Sequence, residues 1–273
     1  MAPGRRRLDA ELVRRRIARS REQAVEIIKD GRVFVGGFAA TKPATVVEPD
    51  VSIRVEHADN DDWASRGAHK LLGALAAFEP QGLVVKDKRV LDAGASTGGF
   101  TDVVLRRGAR EVVAVDVGYG QLIWRLQNDP RVKVLDRTNI RSLTVEQCEG
   151  PCDLMVGDLS FISLELTLPA IVECMADGAD LLPMVKPQFE VGKDRLGSGG
   201  VVRSPELREE VTYGVATFAR TLGLSCKDVA ASPLPGPSGN VEFFLWLVKD
   251  GGGAAPSDEE LRAMVHRAVV EGP

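Results

Sequence analysis

The sequence predicts an α/β protein: a seven-stranded, mainly parallel sheet covered by helices, preceded by a small α+β domain. Three observations carry that reading. Seven apolar segments of strand length recur between residues 90 and 248, most of them separated by stretches with helical spacing. The first runs into a glycine-rich turn, Gly94-Ala95-Ser96-Thr97-Gly98-Gly99, that opens a helix. Charge is also split along the chain. Residues 1–32 hold ten Lys/Arg against five Asp/Glu, a surplus of five, while the 273 residues together carry −4, which leaves −9 on the remainder. A basic head on an acidic body is expected where one end meets a polyanion such as nucleic acid.

In chain order, Asp9 is placed to cap a first helix with Leu12, Val13 and Ile17 on one side. Ser20 caps a second, with Ala24, Ile27 and Ile28 at helical spacing and Gly31 at its end. Val33–Val35, the Gly36-Gly37 turn, Lys42-Pro43 and the alternating Val51, Ile53 and Val55 then read as a compact hairpin. The acidic, polar stretch 59–66 reads as a linker between domains at 1–58 and 67–273, with Trp63 either packed between them or anchored on the surface. Beyond it Leu71, Leu72, Leu75 and Phe78 share a helix face. The strands follow at Val90–Ala93, Val112–Val115, Val132–Leu135, Leu154–Val156, Ala179–Val185, Leu224–Ala230 and Val241–Val248, and a helix at 257–270 closes the series. Only the Pro/Gly loop 233–240 separates the last two strands, too short for a crossover helix, so they should pair antiparallel. The glycine-rich segment Pro187–Arg203, with Lys193 and Arg195, reads as a long flexible loop that closes on RNA.

Several classes are disfavoured. No run approaches the ~20 apolar residues of a membrane span, and the basic Met1–Arg7 is not followed by a signal-peptide core, so a cytoplasmic protein is expected. Cys148, Cys152, Cys174 and Cys226 form neither a disulfide framework nor a metal knuckle, and His57, His69 and His266 are scattered; no metal is expected.

The glycine turn has the spacing G-x-x-x-G-G, not the dinucleotide pattern G-x-G-x-x-G, which argues against a dehydrogenase. The second strand ends at Asp116, 22 residues after Gly94, where a carboxylate can accept both hydroxyls of a bound ribose. Asp136 and Asn139, after the third strand, are placed to flank an adenine. Asp158 and Lys186 follow two parallel strands, and Glu242 opens the antiparallel one. The ends of parallel strands and the start of an antiparallel one share a sheet edge, so these three should converge beside the glycine turn; Lys70, in the helix before the first strand, should reach the same place.

The motif Asp92-Ala93-Gly94-Ala95-Ser96-Thr97-Gly98-Gly99-Phe100, with the second-strand Asp116, resembles the S-adenosylmethionine site of class I (Rossmann-like) methyltransferases, specifically FtsJ-like RNA ribose methyltransferases. In that resemblance Asp92, Gly94, Ser96, Thr97, Gly98, Gly99, Phe100, Asp116, Asp136 and Asn139 bind the cofactor. Lys70, Asp158, Lys186 and Glu242 match, in order, the family's Lys-Asp-Lys-Glu tetrad. A ribose hydroxyl is a poor nucleophile unless its proton leaves as the methyl group arrives. A lysine can take that proton only if its pKa falls from ~10.4 towards neutrality, as a neighbouring ammonium and a sulfonium both promote. Lys186 is thus the expected base, Lys70 the charge that tunes it and orients the hydroxyl, and Asp158 and Glu242 the orienting groups.

The N-terminal pattern, Arg7-Leu8-Asp9, Leu12, Ser20-Arg21, Ala24, Ile28, Gly31, Val33-Phe34-Val35-Gly36 and Lys42-Pro43, resembles the S-four-type RNA-binding domain. It implies RNA contacts by Arg5, Arg6, Arg7, Arg19, Ser20, Arg21, Arg32 and Lys42, with Arg66, Lys193 and Arg195 added from the larger domain. The two halves in this order, with Ser65-Arg66-Gly67-Ala68-His69-Lys70 and Val185-Lys186-Pro187-Gln188-Phe189-Glu190, closely resemble the TlyA family of bacterial ribosomal-RNA cytidine 2′-O-methyltransferases. The resemblance implies ribosomal RNA or ribosomal subunits as partner, targets on both subunits, and an influence on susceptibility to capreomycin-type inhibitors. Two alternatives differ in class. One is a non-catalytic RNA-binding or assembly factor, against which the intact cofactor and tetrad positions speak. The other is a membrane-active haemolysin, a label some relatives carry, for which the sequence supplies no spanning helix, barrel pattern or secretion signal.

Overall fold

The computed structural model describes residues 5–15, 17–18, 20–29, 31–55, 63–236, 238–250 and 255–272. The chain forms two compact units, Met1–Asp62 and Trp63–Pro273.

In the smaller unit, β1 (Arg6–Arg7) leads into α1 (Leu8–Arg14) and α2 (Arg21–Lys29), followed by β2 (Val33–Val35), β3 (Phe38–Ala39), β4 (Val46–Val47) and β5 (Ile53–Val55). The antiparallel order β3-β2-β5 makes one small sheet and β1 pairs with β4. Leu8, Leu12, Ala24, Ile28 and Val33 form its core. Ser20 caps α2, its Oγ accepting from the Gln23 N–H at 3.2 Å. Asp9 does not cap α1: the helix begins at Leu8 with Arg7 in the extended N-cap position, and Asp9 sits buried in the first turn. Guanidinium partners displaced the cap, since Asp9 accepts from Arg7 at 2.8 Å and Arg21 at 3.1 Å as well as from the Ala10 N–H at 2.7 Å. Those hydrogen bonds, led by that of Arg7, hold its carboxyl far below the usual range against the opposing effect of burial. Buried Glu11 is likewise forked between Arg14 (2.6 Å) and Arg15 (2.7 Å), and Arg15 also donates to the Pro49 and Val51 carbonyls, fastening α1 to the segment before β5.

The larger unit comprises α3 (Ala68–Phe78), β6 (Arg89–Ala93), α4 (Gly99–Arg106), β7 (Glu111–Val115), α5 (Trp124–Gln127), β8 (Val132–Leu135), α6 (Val145–Cys148), β9 (Cys152–Gly157), α7 (Leu168–Glu173), β10 (Met175–Val185), α8 (Pro187–Glu190), α9 (Pro205–Thr221), β11 (Leu224–Ala231), β12 (Phe243–Lys249) and α10 (Asp258–Glu271). Its seven strands lie in the order β11-β12-β10-β9-β6-β7-β8. The five from β10 to β8 are parallel, and β12 is antiparallel to both neighbours, as its short loop requires. Successive strand residues point to opposite faces. Val90, Val112, Leu154 and Leu182 pack against α3 and α4, whereas Leu91, Val113, Met155 and Leu181 pack against α7, α9 and α10. With both faces covered, the strands are apolar throughout instead of alternating. All four cysteines are buried and unbridged. Among the described residues no helix is long and apolar enough to cross a membrane, and no cluster of His, Cys, Asp and Glu could hold a metal ion.

The segment 187–203 differs from the flexible loop expected of its glycines. It folds into α8 and two further helical turns, burying Val191 and Val202 against Val211 of α9. The Asn240 side chain fixes it from the β11–β12 loop, accepting from the Val202 N–H and donating to the Gly200 carbonyl, each at 2.9 Å. Two valines and one distant amide supply anchors that the composition of the segment hides.

The Arg14 hydrogen bond, ahead of opposing desolvation, holds Glu11 at about 2 instead of its ordinary 4.5. A lowered native value means stability that is present above the ordinary value and is lost as pH falls from about 4.5 to about 2. Protection of the α1 amides from exchange, corrected for the intrinsic rate at each pH, should therefore fall over that window in the native chain, and Glu11→Gln should already be less protected at pH 7 with a flatter acid profile. Identical acid profiles for the two proteins would show that the fork contributes nothing.

Candidate active site

The predicted tetrad meets at the carboxyl-terminal edge of the parallel strands. Asp158 follows β9 directly, its N–H bonded to the Ala93 carbonyl at 3.1 Å, which sets it against the glycine turn. Val185 pairs with Phe243, so Lys186, just past β10, and Glu242, just before β12, leave the sheet side by side. Lys70 arrives from the first turn of α3. Its Nζ lies 2.5 Å from Glu242 Oε2 and 4.0 Å from Asp158 Oδ2, while Lys186 Nζ lies 2.6 Å from Asp158 Oδ1. The result is a chain of alternating charge, Glu242–Lys70–Asp158–Lys186. Lys70, Lys186 and Glu242 are buried; the Asp158 side chain is a quarter exposed and marks the open side. Among the described residues Glu242 Oε1 has no hydrogen-bond donor, and a Cβ on Gly236 would come within 2.6 Å of it.

The glycine turn forms a cradle next to this cluster. Gly94 (φ +86°) and Gly98 (φ +99°) adopt left-handed backbone that a side chain disfavours, and a Cβ on Gly94 would press on the Asp158 carbonyl at 3.0 Å. Asp116 accepts from the Ser96 N–H (2.8 Å) and the Gly118 N–H (2.7 Å), leaving a lone pair on each oxygen for further donors. Asp136 accepts from the Gly120 N–H at 2.9 Å, and the Thr97 carbonyl accepts from the Ile123 N–H at 3.2 Å, so the loops after β6, β7 and β8 form one connected rim. Asn139 lies on that rim but spends its Oδ1 capping a short turn through the Arg141 N–H at 3.0 Å. Phe100 is in the core, its ring 6.0 Å from that of Phe244, and Gly99 is buried at the start of α4. Asp92 lies fully buried beneath the turn. Its Oδ2 accepts from Thr101 Oγ1 at 2.6 Å, and among the described residues its Oδ1 has no donor. Burial pushes its carboxyl up to about 7.

The residues expected to touch RNA are more committed than their charge suggests. Arg5 pairs with Glu48 at 2.5 Å, Arg7 and Arg21 with Asp9, and Arg195 with Glu210 at 2.7 Å. Arg6, Lys42 and Arg66 are exposed and Arg32 is half-buried. Arg19 and the Lys193 side chain lie outside the described residues. Trp63 lies in the larger unit, where the Arg106 guanidinium stacks over its ring at 4.2 Å.

Four residues beside the tetrad, Ser160, Phe161, Phe189 and Glu190, were given no role by the sequence. Ser160 Oγ accepts from Lys186 Nζ at 2.7 Å. Phe161 is 90% exposed with φ +63°, and its ring lies 5.2 Å from that of Phe189. Glu190 accepts from Ser163 Oγ (2.6 Å) and the Leu164 N–H (2.9 Å). The available signal was an aromatic in a short polar run after a strand-end carboxylate, Asp158-Leu159-Ser160-Phe161, where no helix face asks for it.

Residues 63–249 match the FtsJ-like methyltransferase family model and residues 6–53 the S4 domain. The chain is 57% identical over 267 residues to the 16S/23S rRNA (cytidine-2′-O)-methyltransferase TlyA of Mycobacterium tuberculosis, covering 98% of each. It is 29% identical to the 23S rRNA (cytidine-2′-O)-methyltransferase TlyA of Campylobacter jejuni, covering 87% of this chain and 98% of that one. A solved structure described as a candidate haemolysin of Streptococcus thermophilus superposes with a TM-score of 0.76 at 36% identity, covering 98% of this chain and 96% of the other. The chain is therefore an FtsJ-like methyltransferase carrying an S4 domain, and within that class it belongs to the TlyA family.

Because the Asp92 carboxyl titrates near 7 in the folded chain and at an ordinary 3.8 once exposed, the fold holds its proton more tightly. That contribution is complete below the ordinary value and is lost as pH rises through about 7. Thermal unfolding of the ligand-free protein should show Tm declining across that interval, and Asp92→Asn, which stays neutral, should flatten the decline. An unchanged slope in the variant would mean that Asp92 is already ionised.

Proposed function

We propose that this protein uses S-adenosylmethionine to methylate the ribose 2′-hydroxyl of cytidine in ribosomal RNA, with Lys186 as the general base. The observation that carries the reading is the buried lysine–carboxylate chain lying against the glycine cradle. The relatives' names add the substrate: a cytidine 2′-hydroxyl in 16S and 23S rRNA for the most similar of those described above, with both subunits as targets.

The residues suit the cofactor. The orphaned Oδ1 of Asp92 and the open lone pairs of Asp116 offer acceptors to an ammonium and to ribose hydroxyls. In this reading Asp136 and Asn139 flank the adenine, and Ser96, Thr97, Gly98 and Gly99 form the turn around the cofactor. S-adenosylmethionine supplies a methyl group activated by a sulfonium. Everything else falls to the chain. Lys186, deprotonated, accepts the 2′-hydroxyl proton as the oxygen forms its bond to carbon. Lys70 holds that oxygen by hydrogen bonding, while Asp158 and Glu242 fix the two amines and balance their charge. The exposed Phe161 offers an aromatic face to a base displaced from its stack. In this reading the smaller unit holds RNA through Arg5, Arg6, Arg7, Arg19, Ser20, Arg21, Arg32 and Lys42, and the larger, catalytic unit, which begins at Trp63, adds Arg66, Lys193 and Arg195. The enzyme acts in the cytoplasm.

With tritiated cofactor and separated ribosomal subunits lacking the modification, label should enter RNA and protect one nucleotide linkage from alkaline cleavage. Lys186→Ala should lower turnover by about 10²–10⁴-fold with cofactor affinity retained. A folded Lys186→Ala protein that turns over at the native rate would overturn the base assignment, and no label on either subunit despite cofactor binding would overturn the substrate.

A further inference from the structure

Lys186 Nζ has two near neighbours of different kinds. Asp158 Oδ1 approaches to 2.6 Å as an ion pair but without hydrogen-bond alignment. Ser160 Oγ, at 2.7 Å, is the aligned acceptor, and among the described residues it is the one hydrogen-bond partner of that amine. Charge attraction falls off slowly with angle, whereas a hydrogen bond weakens steeply when bent. Asp158 therefore sets how far the amine reaches, and Ser160 sets which way it points.

Ser160 is itself held in place. The loop after β9 is fastened to the turn after β10 by Glu190, which accepts from Ser163 Oγ and the Leu164 N–H, and by the contact of Phe161 with Phe189. The loop that carries Ser160 and the helix that begins beside Lys186 are thus a single clasp. Ser160 is exposed on its other side, so its hydroxyl is not needed to fill the core.

We propose that Ser160 is a positioning residue for the methyl transfer, its hydroxyl holding the Lys186 amine so that the lone pair faces the substrate hydroxyl. This rests on Lys186 being the base. In the deprotonated amine one N–H is donated to Ser160 and the lone pair is left in a fixed direction. Without the hydroxyl the amine swings about Asp158 and spends most of its time misaimed, a loss of orientation that acts on the chemical step and not on binding.

The test is steady-state kinetics of Ser160→Ala, Ser160→Thr and Lys186→Ala on the ribosomal substrate, with cofactor affinity measured calorimetrically. Ser160→Ala should lower kcat by about tenfold to a hundredfold while KM for RNA and the cofactor Kd stay within about twofold, and Ser160→Thr, which keeps the hydroxyl, should recover most of the rate. Native kcat in Ser160→Ala beside an inactive Lys186→Ala would overturn the positioning role and leave the base assignment standing. A Ser160→Thr protein as slow as the alanine variant, with cofactor binding intact, would also overturn it, because the hydroxyl would not be the cause. An active Lys186→Ala would remove the premise itself.

Discussion

Two lysine ammonium groups buried at one sheet edge are the constraint to which the larger unit answers. Each would cost several kcal/mol if buried alone, and their mutual repulsion would add to it. They are tolerated because Glu242 and Asp158 interleave with them, Lys70 to Glu242 at 2.5 Å and Lys186 to Asp158 at 2.6 Å. That alternation demands side chains from the helix before β6, from two parallel strands and from an antiparallel one. The reversal of β12 is what allows Glu242 to emerge at the same edge as Lys186, since Val185 and Phe243 are directly paired. Had β12 run parallel, Glu242 would lie at the far end of the sheet and Lys70 would be buried without its carboxylate.

The cradle follows the same logic with opposite sign. Asp92 and Asp116 bring acidic oxygens to the turn without a lysine beside them, and the first is driven towards neutrality by burial. A carboxyl held towards its neutral form by burial is ready to ionise when a cation arrives. A charge-balanced cluster next to an acid-rich turn is suited to a cationic ligand on one side and a hydroxyl awaiting deprotonation on the other.

Much of this was legible in the residues. The shared edge, though not the strand order, followed from two facts, the glycine turn after Ala93 and the short Pro/Gly loop before Val241, and those sufficed to bring Asp158, Lys186 and Glu242 together. Lys70 was harder, because a helix preceding a strand can enter from either direction; only packing of Leu71, Leu75 and Phe78 against the sheet fixes it. What stayed hidden depended on contacts between distant segments. Asp9 has the right chemistry for a cap, yet Arg7 and Arg21 claim it as a buried counter-ion. The stretch 187–203 looked unstructured because its anchor, Asn240, stands some 40 residues away in sequence. Ser160 and Glu190 acquire a role only when two loops are seen to meet.

The place of β12 bears on how the molecule is made. Lys70 and Glu242 are 172 residues apart, and β12, the last strand in the chain, lies inside the sheet between β10 and β11. A chain emerging from its N-terminus can assemble the parallel strands and their helices early, but it holds an open slot until the final strand arrives. During that interval the lysine edge has one carboxylate instead of two, and β10 offers an unpaired rim. Vectorial synthesis thus ends with the insertion of a central strand, so completion of the sheet and completion of the active site are the same event.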